Sequence, residues 1–308
     1  MKIFYILGMT RSGSTILENV LGNVPGSFAA GEIHWLWRSL AAEVPCGCGR
    51  PIESCEVWGP VLRAAAGPED QRMPASDVIS WQLREARILH TPRLLKIRSW
   101  PHTGRSTLDS LLGLTTKLYG ALASVTQARV LVDSSKSPAP LEILRHVPEV
   151  ELYVVHLVRD PRAVAYSWRR GAPNPGGGRS YHPGAVRCSV RWIMTNALGY
   201  MVRRRLPRGR SIQLRYEDLV KAPMGTVRRL MEFVGEPEAH LPFVTDRIAR
   251  LEVNHTVSGN RSRFETGDVE IRSDDEWKTP RRDLRRGIVT LLTLPWLRRY
   301  GYRRSLRG

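Results

Sequence analysis

Five short aliphatic runs constrain the fold of this 308-residue chain more than any other feature. They are KIFYIL (2–7), RLLKI (93–97), RVLVD (129–133), ELYVVHLV (151–158) and SIQLRY (211–216). None of them alternates apolar with polar residues. A strand with one wet face alternates, whereas a strand covered on both faces does not. Patterns of helical period lie between the runs, near 14–23, 34–43, 76–89, 105–125, 138–146, 161–170, 184–204 and 223–234. Buried strands alternating with helices predict a three-layer α/β fold with a central parallel sheet. No internal repeat and no linker interrupts residues 1–280, which read as one domain. Residues 281–308 form a basic tail with an apolar centre. After Leu251 the strand signals stop, and VNHTVSGNRSRFETGD reads as a long functional loop. GAPNPGGG (171–178) reads as a lid over a site.

Charge narrows the ligand class. Lys and Arg total 47 against 29 Asp and Glu, a formal net charge of +18. Such a balance suits nucleic acid, an anionic membrane surface or a small polyanion. The basic residues are not interleaved with stacking aromatics and no recognition motif appears, so nucleic acid is not expected. The tail holds nine arginines and one aspartate around a run too short to span a bilayer. It suits either contact with a membrane surface or packing on the domain. No signal-peptide pattern is visible, and a cytoplasmic location is expected. Cys46, Cys48 and Cys55 fall in CGCGRPIESC, and Cys188 stands apart. That C-x-C-x(6)-C spacing departs from the usual zinc patterns. His34 could complete a site, but nothing in the spacing demands it. A reduced structural loop, with no metal, is the expectation.

The first strand runs into a glycine turn and a helix, YILGMTRSGSTILENVL. Gly8 and Gly13 followed by Ser14 and Thr15 have the spacing of a phosphate loop, with Ser14 where its lysine should stand. Such a junction aims backbone N–H groups and a helix N-terminus at one point. Arg11, Ser12, Gly13, Ser14 and Thr15 are therefore expected to hold an anion. A second candidate lies in VVHLVRDPRAVAYSW (154–168). Arg159 ends a buried strand, and Ser167 follows two helical turns later. Both can reach one phosphate in the crevice where open parallel sheets bind ligands.

Together, RSGST and LVRDPRAVAYS resemble the sulfotransferases that use 3′-phosphoadenosine 5′-phosphosulfate (PAPS). VDSSKSP (132–138), CGCGRPIESCEVW (46–58) and HTVSGNRSRF (255–264) are similar to segments of the carbohydrate- and tyrosyl-type members. The likeness spans about residues 2 to 280 and resembles a bacterial relative, without the membrane anchor of animal members. It implies a P-loop NTPase-like fold and PAPS as co-substrate. The first loop would hold the 5′-phosphosulfate, and Arg159 and Ser167 the 3′-phosphate. A sulfuryl group in transfer carries a single negative charge, so hydroxyls, backbone N–H groups and one or two cations can replace lysine and Mg²⁺.

The resemblance also implies a glutamate base at Glu32, 21 residues after Arg11. His34 is the rival base, and a helix-start carboxylate is the plain alternative for Glu32. Lys136 would meet the bridging oxygen as the leaving phosphate gains charge. Arg261 and Arg263 would close over the 3′-phosphate. The acceptor is a hydroxyl on a carbohydrate, lipid or other small molecule, with a pocket expected from residues 33–60, 76–105 and 171–182. The competing reading is a small-molecule kinase that uses ATP and Mg²⁺, with Asp133 as its metal acid.

Overall fold

The computed structural model describes residues 1–68, 72–97, 106–170, 182–278 and 284–302. Five strands, β1 (Lys2–Gly8), β2 (Ser27–Gly31), β3 (Val130–Lys136), β4 (Glu151–Val158) and β5 (Ser211–Arg215), form one sheet in the order β2-β3-β1-β4-β5. Every pairing is parallel. Helix α1 (Ser14–Gly22) joins β1 to β2. The long crossover from β2 to β3 carries α2 (Leu36–Ala41), α3 (Trp58–Ala66), α4 (Ala75–Glu85), α5 (Thr91–Leu94) and α6 (Thr107–Thr126). Helix α7 (Pro138–Leu144) leads to β4, and α8 (Pro161–Arg169) and α9 (Ala185–Arg203) lead to β5. Helices α10 (Tyr216–Lys221) and α11 (Pro223–Phe233) precede an antiparallel ribbon of β6 (Ile248–Leu251) and β7 (Gly267–Glu270), and α12 (Leu284–Arg299) comes last.

The lack of alternation in the strands has a direct cause. Ile3, Tyr5 and Leu7 of β1 enter a core built with α3 and α6, while Phe4 and Ile6 enter a second core built with α1 and α11. Both faces are covered, so both sets of side chains are apolar. Local signals place α8 as expected. Pro161 occupies its first turn, and the Asp160 carboxylate accepts from the Arg162 N–H at 2.9 Å.

Two expectations are corrected. RLLKI is not a strand: Thr91–Leu94 is a helical turn that packs Leu94 and Leu95 into the first core. The second strand is Ser27–Gly31, at the edge of the sheet. The long loop after Leu251 also gives way to β7 at Gly267, and its Val257 bridges Gly31 in parallel pairing. The 171–178 segment lies outside the described residues.

The apolar centre of the tail packs on the domain. Helix α12 lies against α8 and α9, burying Val289 and Leu297. Beyond it, Tyr300 sets its ring edge-on to Trp192 at 5.8 Å. The Tyr302 hydroxyl donates to the Glu217 carboxylate at 2.9 Å. Leu284 and Leu291 stay exposed on the outer face. Among the described residues no helix is long and apolar enough to cross a membrane.

Candidate active site

All five parallel strands deliver chemistry at their C-terminal ends. Residues 9–13 follow β1, Glu32 follows β2, Lys136 ends β3, Arg159 follows β4 and Tyr216 follows β5. This is the edge at which open parallel sheets bind ligands. The backbone is strained there. Among the described residues six non-glycines have positive φ, and Arg11 (72°), Lys136 (65°) and Ser258 (58°) are three of them. Strain of that kind persists only where the surroundings enforce it. A register shift between β1 and β3 sets Lys136 opposite Leu7 and turns it toward the crevice.

The first loop leaves donors free at the start of α1. Gly13 caps α1 in the left-handed region at φ 84°, and no side chain caps the first turn. Its N–H groups are thus left for a ligand. Ser12 and Ser14 are buried, and Thr15 is half-buried. Among the described residues, the hydroxyls of Thr10, Ser12 and Ser258 are buried with no hydrogen-bond partner. Buried hydroxyls nearly always have partners, so three orphans beside one helix N-terminus mark a place for ligand oxygens. The Tyr216 ring closes the loop from the side: a Cβ at Gly13 would lie 2.4 Å from it.

Arg11 and Arg159 meet at this loop. Arg159 donates to the Arg11 carbonyl at 3.0 Å, and its guanidinium stacks on Tyr216 at 4.3 Å. Burial, then Arg170 and Arg159, pull the Arg11 guanidinium below its ordinary pKa, while Asp274 opposes them. Asp274 itself accepts from Arg159 at 3.1 Å and from Arg170 at 2.5 Å. One carboxylate thus joins two guanidiniums at this edge of the sheet. Ser167 is buried on α8. Arg261 is exposed at the start of a 3₁₀ turn. The buried Arg263 guanidinium instead donates to the carbonyls of Ser258 (2.7 Å), Pro45 (2.8 Å) and Thr256 (3.3 Å). It braces the 256–263 loop from within.

Glu32 and Lys136 form a buried ion pair at 2.5 Å, each side chain about a tenth exposed. Glu32 starts a 3₁₀ turn (Ile33–Trp35), so His34 does not alternate with it as on a strand. The His34 imidazole is pushed down to about 4, by burial first and by Arg38 second. The Gly259 backbone lies over the pair: a Cβ there would come 3.6 Å from Glu32 Oε1 and 4.0 Å from Thr15 Oγ1. Asp133, the metal acid of the competing reading, is fully buried within β3. It accepts from the Tyr119 hydroxyl and from the Ser135 N–H, one on each carboxylate oxygen.

One residue of this site carries no sequence signal. Glu18, fully buried on α1, accepts from the Gly31 N–H at 2.7 Å and the Ser134 hydroxyl at 2.6 Å. It therefore ties the strand end before Glu32 to the strand end before Lys136. Burial pushes its carboxyl up to about 8, against the pull of Ser134, Lys136 and Gly31. The folded chain then holds a proton that the unfolded chain releases at its ordinary value of 4.5. Stability from this group is full below the unfolded value and is lost as pH rises through the folded one. Glu18→Gln mimics the protonated form, donating to Ser134 and accepting from Gly31. Its melting temperature is expected to fall less than that of the parent chain between pH 5 and pH 9. Parallel melting curves across that range would remove Glu18 as a pH-sensitive tie.

Beside Glu32 opens a cleft of about 730 Å³. Trp35, Leu83, Leu89, Val190 and Met194 give it apolar walls, and Arg38, Arg87, Arg187 and Arg191 add cations. Residues 34–38 and 83–89 of this lining fall within the stretches 33–60 and 76–105. The α9 residues come from a helix that carried no site signal in the sequence.

Comparisons with known proteins bear on the family and the fold. A profile of the Sulfotransferase family matches residues 4–240. Comparison with curated proteins found no match. Among solved structures, a sulfotransferase domain from the curacin biosynthetic pathway superposes with TM-score 0.54 at 18% identity, covering 98% of each chain. The sulfotransferase domain of an olefin synthase from Synechococcus PCC 7002 gives 0.49 at 20%, covering 98% of this chain and 95% of that one. A sulfotransferase from Mycobacterium avium gives 0.48 at 14%, covering 97% and 77%. At these identities the first likeness speaks for the fold alone, a central parallel sheet flanked by helices. The profile match covers well over half of the sequence, and with it the chain belongs to the sulfotransferase family.

Proposed function

We propose that this sulfotransferase moves a sulfuryl group from PAPS to the hydroxyl of an acceptor with an apolar body and a negative charge. The observation that carries the reading is the set of orphaned hydroxyls at Thr10, Ser12 and Ser258, beside the uncapped α1 N-terminus and the Arg11–Arg159 pair. These groups suit the oxygens of a 5′-phosphosulfate, and Arg159 with Ser167 suits a 3′-phosphate. PAPS supplies the activated sulfuryl group. Glu32 takes the acceptor proton as the new O–S bond forms. Lys136 and Arg11 stabilise the leaving phosphate oxygen as its bond to sulfur breaks. The products are a sulfate ester and adenosine 3′,5′-bisphosphate. No metal step is needed in this scheme. The apolar walls and four arginines of the cleft support an amphiphilic, anionic acceptor.

Nucleotide binding tests the reading without knowledge of the acceptor. Adenosine 3′,5′-bisphosphate at about 100 times its Kd is expected to add about 2.7 kcal/mol of stability, read as a rise in melting temperature. ATP with Mg²⁺ at the same concentration is expected to add less. Arg159→Ala should weaken the bisphosphate by about 1.5–3 kcal/mol, roughly one to two decades in Kd. Asp274→Asn should strengthen it, because the competing carboxylate charge is gone. Calorimetry that finds Arg159→Ala binding unchanged removes that arginine from the nucleotide site.

A further inference from the structure

A cluster of soft ligands lies outside the transfer chemistry. Cys46, Cys48, Cys55 and His255 present their ligand atoms within 4.8 Å of one another. Cys55 Sγ lies 3.2 Å from His255 Nδ1 and 3.9 Å from Cys48 Sγ. Tetrahedral zinc with bonds of about 2.3 Å to sulfur and 2.0–2.1 Å to nitrogen sets its ligands about 3.6–3.8 Å apart. A disulfide would hold two sulfurs at about 2.0 Å, and all the cysteines are free. Cys46 and Cys55 are buried, and Cys48 and His255 are half-buried.

The surroundings are those of a metal ligand set. The other nitrogen of His255, Nε2, lies 3.3 Å from Glu56 Oε1. A carboxylate on the far nitrogen is what fixes the tautomer and aim of a ligating histidine. The His255 ring also stacks on Phe28 at 6.5 Å. The cysteine turn is fixed by its backbone. Cys46 N–H donates to the Arg50 carbonyl at 2.8 Å, Gly49 N–H returns to the Cys46 carbonyl at 2.9 Å, and Gly49 takes φ 83°. That tight turn lets two cysteines only one residue apart converge on one point. Three thiolates and one imidazole around Zn²⁺ leave one net negative charge, and the buried Arg263 guanidinium is near enough to Cys46 to feel it.

We propose that Cys46, Cys48, Cys55 and His255 bind one Zn²⁺ as a closed structural site. Zinc follows from the donor set, since thiolate-rich tetrahedral sites select it, and ligand atoms this close enclose a single ion rather than a cluster. Four protein ligands leave no open position for catalysis. The thiols lose their protons as the ion binds. The ion staples the turn at 46–55 to the strap at 254–258. Gly47 N–H already donates to the Thr256 carbonyl across that junction at 2.9 Å. Two residues past His255, Val257 pairs with the backbone of Ala30 and Glu32. The metal thereby steadies the strap that positions the candidate base, while its binding stands apart from the transfer reaction.

The test uses the full chain as purified from zinc-replete medium without added chelator. Elemental analysis is expected to return about one zinc per chain, and X-ray absorption a shell of three sulfurs and one nitrogen. Stripping with a strong chelator should release the zinc, expose three further thiols to a disulfide reagent and lower the melting temperature. Cobalt added to the stripped chain should give the visible bands of a tetrahedral thiolate site. His255→Ala should abolish stoichiometric zinc while Cys188→Ser keeps it. Sub-stoichiometric metal together with no cobalt spectrum overturns the site. So does a disulfide among the three cysteines in peptide mapping of the chain as purified.

Discussion

Replacing Glu32 by glutamine is expected to lower turnover by about 10²–10⁴-fold and to leave affinity for adenosine 3′,5′-bisphosphate within about threefold. The range is that of a positioned general base, roughly 3–5 kcal/mol of barrier. Glutamine keeps the shape of the side chain, and its carbonyl oxygen can still accept from Lys136 Nζ, which lies 2.5 Å from the native carboxylate. The loop, the arginine pair and the strap over the site are untouched, so binding should persist. Only the capacity to take a proton goes. The measurement is transfer of labelled sulfate from PAPS to a panel of phenols, glycans and lipid alcohols, beside calorimetry with the bisphosphate. Turnover that survives in the glutamine variant moves the base to His34 or to the acceptor. His34 is placed to be tested next, since it lines the same cleft. Lys136→Ala is a poorer probe, because it strands a buried carboxylate as well as removing a cation.

How far the sequence exposes this site depends on where each partner comes from. The first loop is legible because its chemistry is local: strand, glycines, hydroxyls and helix lie within about twenty consecutive residues. Arg159 is legible because a buried strand must end at the ligand edge of the sheet. RLLKI misleads because five apolar residues suit a strand or a helical turn equally, and Pro92 in the first turn decides it. The true second strand, Ser27–Gly31, is the short apolar stretch before Glu32, and its alanines and glycine carry only a weak strand signal. The α9 arginines and Glu18 are unreadable for a different reason: a polar residue on a helix gains meaning only from what packs opposite it. His255 is the extreme case. It lies 200 residues from Cys55, and the pairing of Val257 beside β2, with the Gly47 N–H bond to the Thr256 carbonyl, brings the two together.

That pairing makes Gly31→Ala the most destabilising glycine-to-alanine substitution expected among the described residues. Gly31 sits at φ 86°, in the left-handed region, and an added Cβ would fall 2.2 Å from the Val257 oxygen and 2.3 Å from its nitrogen. Both obstacles are backbone, so no side chain can swing aside. Left-handed strain and forced overpacking together give about 3–5 kcal/mol. For a chain of this size that corresponds to roughly 5–8 °C in melting temperature. Gly209→Ala separates the two terms. Gly209 has φ 78° but nothing within 4 Å of its added Cβ, so only the strain of about 1–2 kcal/mol should appear. Similar losses in both variants would mean that Val257 yields and the strap is loose. A loss at Gly31 at least twice that at Gly209 means the strap is held rigidly against β2. The same variant pushes at the Glu32 N–H bond to the Val257 carbonyl, 2.8 Å long in the native chain. Turnover in the surviving folded fraction should therefore fall with Gly31→Ala and hold with Gly209→Ala, tying the rigidity of that one crossing to the placement of Glu32.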